Sequence, residues 1–225
     1  MRILALETAT DPGSIALWLD GHIVARNCPE GLSNSTTLLP LVDSTLREAG
    51  LGFADLDAIS FGAGPGSFTG LRIACGVAQG LAVARVLPLI GIGTLEAMAL
   101  ASGGERVIVG LDARMGEVYY GFFDKGVQQG EIGVYAPDAA PLPSSVGWLA
   151  CGNGLKAYPL LYERLSPFVE NWKPEIMPSA EAIVRLAALR LANGERVDPA
   201  DAVPLYVRNK VAKTITERLA EGGKA

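Results

Sequence analysis

The chain has 225 residues, 24 of them acidic and 19 basic, with a net charge of -5 and one histidine. This balance excludes a self-sufficient nucleic-acid footprint, and the lone histidine excludes a histidine-built zinc site. Charged residues make up 19%, below the ~25% usual for soluble domains, and mean hydropathy is +0.28, so a normally covered face is expected.

Cys28, Cys75 and Cys151 form no C-x-x-C pair and read as reduced thiols of a cytoplasmic protein. The apolar opening, residues 3–6, is ended by Glu7, unlike a signal peptide. The longest uncharged apolar stretch, residues 73–84, is too short to span a bilayer.

Residues 2–6 read as a buried strand running into Glu7-Thr8-Ala9-Thr10, and Asp11-Pro12-Gly13 reads as a turn. Residues 14–19 and 22–26 are two further strands joined at Asp20-Gly21, a hairpin signal. A polar loop leads to a helix over 37–49, with Pro40 in its first turn and Gly50 as its stop. Residues 57–61 form the strand before the turn Gly62-Ala63-Gly64-Pro65-Gly66-Ser67, where glycine takes up positive φ cheaply. Ser67 or Thr69 caps a helix over 71–84. Ile73, Val77 and Leu81 form one stripe of that helix, beside the small Ala74, Gly76, Ala78, Gly80 and Ala82. Each internal glycine costs about 1 kcal/mol relative to alanine. The expected compensation is close approach of another backbone, from an inner layer or from a partner chain.

Residues 88–92 read as a strand, and 94–101 as a helix capped by Thr94. Ser102-Gly103-Gly104 is a joint, so the expected units are 1–103 and 104–225. The second unit opens like the first: an apolar strand, 107–112, ends in a carboxylate, Asp112, then come a turn and a strand over 117–123. Residues 148–151 form a strand ending in Gly152-Asn153-Gly154, and a helix is expected over 155–164. Ser179 caps a helix reaching Ala192, with Ile183, Leu186, Ala187 and Leu191 as its stripe. Residues 204–208 are extended, and a terminal helix over 211–220 packs back on the first unit. The alternation indicates a layered α/β fold.

The glycine turn has two readings: a phosphate cradle at a helix N-terminus, or a tight strand-to-helix connection. It lacks the Gly-Lys-Ser/Thr of a P-loop and the third glycine of a dinucleotide fingerprint. Glu7 and Asp112, at strand ends, either hold Mg²⁺ through water or bond to turn amides. The helices over 37–49 and 71–84 are apolar over a wide arc, which suits a helical interface or ordinary burial. His22 sits beside a hairpin turn, so nucleophilic catalysis has no base.

Several runs together resemble the TsaB (YeaZ) family: Ile3-Leu4-Ala5-Leu6-Glu7-Thr8-Ala9-Thr10, Leu38-Leu39-Pro40, Gly64-Pro65-Gly66-Ser67-Phe68-Thr69-Gly70-Leu71-Arg72-Ile73, Asp112-Ala113-Arg114 with Gly116-Glu117-Val118-Tyr119, and Pro204-Leu205-Tyr206-Val207-Arg208. The resemblance implies an α/β protein of the ASKHA (actin/Hsp70-like) fold, with two ribonuclease-H-like lobes. It implies a non-catalytic subunit in the synthesis of N6-threonylcarbamoyladenosine beside the tRNA anticodon. Such a subunit binds the catalytic TsaD, with the ATPase TsaE joining, and meets tRNA only indirectly. It also forms a homodimer through the same first-lobe helices.

The interface residues expected on those helices are Leu39, Val42, Leu46, Arg72, Gly76, Gln79, Gly80 and Val83. No metal or cofactor of its own is implied, and ATP and Mg²⁺ belong to the complex. A vestigial nucleotide site would comprise Glu7, Thr8, Gly64, Gly66, Ser67 and Asp112. Two positions depart from the family pattern: Glu7 stands where Asp is usual, and Asn34 where His commonly precedes Ser35. The rival reading is a nucleotide hydrolase or small-molecule kinase of the same fold, working alone with Glu7, Asp112 and the glycine turn.

Overall fold

The computed structural model describes residues 1–208. The terminal helix expected over 211–220 lies outside them. The first half of the chain contains β1 (Arg2–Glu7), β2 (Ser14–Leu19), β3 (His22–Asn27), α1 (Asn34–Glu48), β4 (Ala58–Gly64), α2 (Phe68–Arg85), β5 (Leu89–Gly93) and α3 (Thr94–Ser102). The second contains β6 (Arg106–Asp112), β7 (Val118–Asp124), β8 (Val127–Tyr135), β9 (Trp148–Cys151), α4 (Gly154–Ala157), α5 (Pro159–Leu165), β10 (Val169–Lys173) and α6 (Ala180–Ala192).

The first sheet runs β3-β2-β1-β4-β5 and the second β8-β7-β6-β9-β10, so the echo between the halves is a strand-by-strand match. In each sheet the first three strands form an antiparallel meander and the last two join in parallel. These are the two ribonuclease-H-like lobes of the ASKHA fold.

Alternation along the strands explains why their sequences are apolar throughout. Leu4 and Leu6 face a core shared with α1 and α2, while Ile3 and Ala5 face α6. Val107 and Val109 face α3, and Ile108 faces α5. The cover of the sheets is therefore crossed: α3 belongs to the first half of the chain yet packs on the second sheet, and α6 does the reverse. Ser14 Oγ accepts from Ala180 N at 2.9 Å and fixes the start of α6 against β2.

Several expectations change. Helix α1 begins at Asn34 with Ser33 as cap, so Pro40 lies inside the helix rather than in its first turn. Pro40 and Thr36 are both exposed, and water reaches the carbonyl that Pro40 cannot bond. Thr94 is the first residue of α3, not its cap: Gly93 holds that place and makes no side-chain bond. The helix expected over 155–164 is split at Tyr158, ahead of Pro159. Strands β8 and β10 were not anticipated.

Helix α2 shows two kinds of glycine. A Cβ on Gly70 would collide with the carbonyl oxygen of Thr8, so the backbones meet there directly. At Gly76 and Gly80 a Cβ would meet nothing within 4 Å. The close approach expected at these two glycines does not come from within the described chain. We expect Gly70→Ala to cost about 2–4 kcal/mol, because backbone has to move. Gly76→Ala and Gly80→Ala are each expected to add about 1 kcal/mol to the stability of the isolated chain. Urea denaturation of the three variants checks the difference in sign.

Candidate functional site

The glycine turn is shaped by the loop that joins β1 to β2. A Cβ on Gly66 would lie 2.9 Å from Ala9 Cα, and Ser67 N donates to Ala9 O at 2.8 Å. Thr8 Oγ1 donates to Gly70 O at 2.6 Å. Ser67 caps α2, its Oγ accepting from Gly70 N at 3.3 Å. Gly64 has φ +111, a conformation that favours glycine. Two of the backbone donors that a phosphate cradle would use, Ser67 N and Gly70 N, are thus bonded within the chain. The turn has the features of a tight connector pressed against its neighbour.

The outer face of α2 emerges from this junction. Thr69, Arg72, Gly76, Gly80 and Val83 succeed one another at helical spacing and all are exposed, Val83 to 63%. Ile73, Val77 and Leu81 are half-buried beside α1. On α1, Leu39 is 45% exposed. Val42 and Leu46 are enclosed in the first-lobe core, so their expected place at an interface is corrected: they support the face from beneath. The wide apolar arc of α1 thus divides into a core stripe and an outer edge. Gln79 is turned aside, its amide donating to Pro199 O and Ala202 O at 2.9 Å.

Between the lobes lies a cavity of about 430 Å³. Thr10, Ser67, Asp112, Arg114 and Asn153 contribute to its walls, and residues 205–208 border it. Asp112 lines the cavity, but Oδ1 accepts from Arg114 N at 2.8 Å and from Tyr158 Oη at 2.6 Å. Burial, reinforced by the Asp112 carboxylate, pushes the Tyr158 hydroxyl up to about 12. Asn153 Oδ1 accepts from Asp112 N at 2.9 Å and locks the same loop from the other side. A second cavity, about 710 Å³, opens at the N-terminal ends of α1 and α2. Asn34 at its edge is a strut: Oδ1 accepts from Gly13 N at 2.9 Å, and Nδ2 donates to Asp11 Oδ1 at 2.8 Å. Its role at that corner was not read from the sequence.

Glu7 does not join Asp112 in the cavity. Its side chain is enclosed beneath, where the missing Cβ of Gly62 leaves it room, and Oε1 accepts from Ala9 N at 2.6 Å. Of the two readings of these carboxylates, bonding to turn amides is the one seen, and the described residues contain no cluster of three or more metal-binding side chains. Burial pushes the Glu7 carboxyl from 4.5 up to about 7, against the pull of the Ala9 and Thr8 amides. Between these values the folded protein binds the proton and the unfolded chain releases it, so stability falls as pH rises through this window, by about 3 kcal/mol in full. Glu7→Gln should remove that slope: its stability relative to the parent rises from about pH 5 to about pH 8, as read by urea denaturation at both.

The comparisons with known proteins agree with this architecture. A family model described as "TsaD: tRNA N6-adenosine threonylcarbamoyltransferase" matches residues 29–135. The tRNA threonylcarbamoyladenosine biosynthesis protein TsaB of Escherichia coli is 38% identical, over 94% of this chain and 96% of its own. TsaB of Haemophilus influenzae is 32% identical, over 94% and 95%. The crystal structure of YeaZ from Pseudomonas aeruginosa superimposes with a TM-score of 0.82 at 35% identity, covering 91% of this chain and 99% of that one. Among the described residues, no helix is long and apolar enough to cross a membrane. The chain belongs to the TsaB (YeaZ) family of tRNA threonylcarbamoyladenosine biosynthesis proteins.

Proposed function

We propose that this chain is a non-catalytic subunit that docks on TsaD and supports transfer of the threonylcarbamoyl group to tRNA. The observation that carries this reading is the outer face of α2. Gly76 and Gly80 leave open notches in an exposed helix, and nothing in the described chain fills them. A helix keeps two such glycines, each costing about 1 kcal/mol, most readily where a second backbone comes close. Arg72 and Val83 flank the notches along the helix, Leu39 is exposed on α1, and together they supply a polar anchor and apolar surface. The same face, paired with a copy of itself, forms the homodimer when TsaD is absent, and TsaE joins through TsaD. tRNA is met through the partner, and the workplace is the cytoplasm.

The carboxylates favour this division of labour. Glu7 is enclosed, and Asp112 is bonded to its own loop and to Tyr158. For this subunit the reading therefore includes no nucleotide chemistry of its own, and ATP and Mg²⁺ act in the complex.

Gly80→Arg provides the test. The site is exposed and arginine is the better helix former, so the variant folds. It is expected to lose TsaD in pull-down and sedimentation by at least about tenfold in affinity, and threonylcarbamoyladenosine synthesis in the reconstituted system should fall with it. Unchanged binding would overturn the docking reading. Micromolar ATP-Mg²⁺ binding by the isolated chain, lost in Glu7→Ala, would favour a self-standing enzyme instead.

A further inference from the structure

One segment touches more of the molecule than its sequence announces. Residues 199–208 leave the side of α2, enter the mouth of the cleft between the lobes and finish on the second lobe. Pro199 O and Ala202 O take the Gln79 amide at 2.9 Å, and Leu205 N donates to Ala63 O at 2.6 Å. Tyr206 stacks on Phe68 with ring centroids 5.5 Å apart. Arg72 lies 3.8 Å above the other partner of that stack, Phe68, and its Nε donates to Tyr206 Oη at 3.0 Å. Two residues later the chain has crossed to the second lobe. Arg208 donates to Ala113 O at 3.1 Å, pairs with Glu117 and lies 5.9 Å from the Tyr119 ring.

The Arg208 side chain is 16% exposed and that of Glu117 38%, so this ion pair is partly shielded from water on the arginine side. The other contact between the lobes at this level is long: Tyr119 Oη donates to Gly66 O at 3.4 Å. At the base of the cleft the lobes are joined by the crossed helices α3 and α6. Among the described residues there is therefore a packed hinge at one end and, at the other, the strap 199–208 beside one long hydrogen bond.

We infer that residues 199–208 are a latch, and that the state of the α2 face at Arg72 and the closure of the second-lobe loop 112–117 are coupled through it. Three consecutive residues, 206–208, link the Tyr206 contact to the Arg208 contact. Loss of one end is passed to the other along the chain, because among the described residues the backbone between Tyr206 and Arg208 makes no hydrogen bond of its own and the nearest anchor is Leu205 N on Ala63 O. Any molecule that grips Arg72 on α2 thereby biases the opening of a cavity on the far side of the strap. The coupling is a property of the chain by itself and does not depend on which partner, if any, occupies α2.

Hydrogen exchange on the full-length protein tests it with two variants. Arg208→Ala removes the second-lobe end. Exchange is expected to quicken at least about tenfold both at 112–119 and, across the cleft, at 66–72. Tyr206→Phe is the milder change, removing only the hydroxyl that holds Arg72. It is expected to quicken exchange at 113–117 on the opposite lobe. If each variant alters only the lobe that carried the lost contact, the latch is overturned. Pairing Arg72→Ala with Arg208→Ala closes the argument: non-additive denaturation midpoints support coupling through the strap, and additive ones refute it.

Discussion

The contact on which the rest of the molecule leans is the seating of the β1–β2 loop on the start of α2. Backbone meets backbone there, with Ala9 O receiving Ser67 N and Thr8 pressed against Gly70. Contacts of this kind tolerate no added atom, because neither side has a side chain that can move away. The turn is rigid, so the direction in which α2 leaves it is set. The first turn of α2 is tied to the central strand of its lobe, and its outer face is presented as one firm surface.

Polar groups around the cleft are spent on this rigidity. Asp112, Asn153 and Tyr158 bind three segments of the second lobe to one another. Asn34 does the same for two segments of the first. Glu7 accepts a hydrogen bond from its own loop while its second oxygen is buried without a partner. Burial away from water is what raises this carboxyl above the usual carboxylate range, and the two loop amides offset only part of it. Two carboxylates at matching strand ends look equivalent in sequence, yet one lines the cavity and the other is sealed below it. The difference comes from Gly62 on the neighbouring strand, which leaves space for the longer acid.

Much of this was readable before any coordinates. The first sheet, α2 with Ser67 as one of its two cap candidates, and the cap of α6 at Ser179 all follow from local chemistry. What escaped has physical causes. Strand β8 is exposed along its first half and is held by its ladder to β7, so its sequence carries little burial signal. Strand β10 is a short edge strand with two exposed residues. Val42 and Leu46 differ from Leu39 only in which way the helix turns them, and a wide apolar stripe does not say where core ends and surface begins. Residues 204–208 belong to no helix or strand, and their partners, at Ala63, Arg72 and Glu117, are remote in sequence.

The exchanged covers, α3 over the second sheet and α6 over the first, carry a consequence for how this chain is made. Strand β1 leaves the ribosome with one flank destined for α6, a helix that is synthesised much later. Until that helix arrives, Ile3, Ala5 and Ala16 have wet neighbours. The nascent first half is therefore an unfinished object, sticky on one side, and long-range closure of this sort slows a protein's maturation. Neither half is a separable module, and gene fragments cut at the apparent joint would yield two incomplete bodies in place of two small proteins.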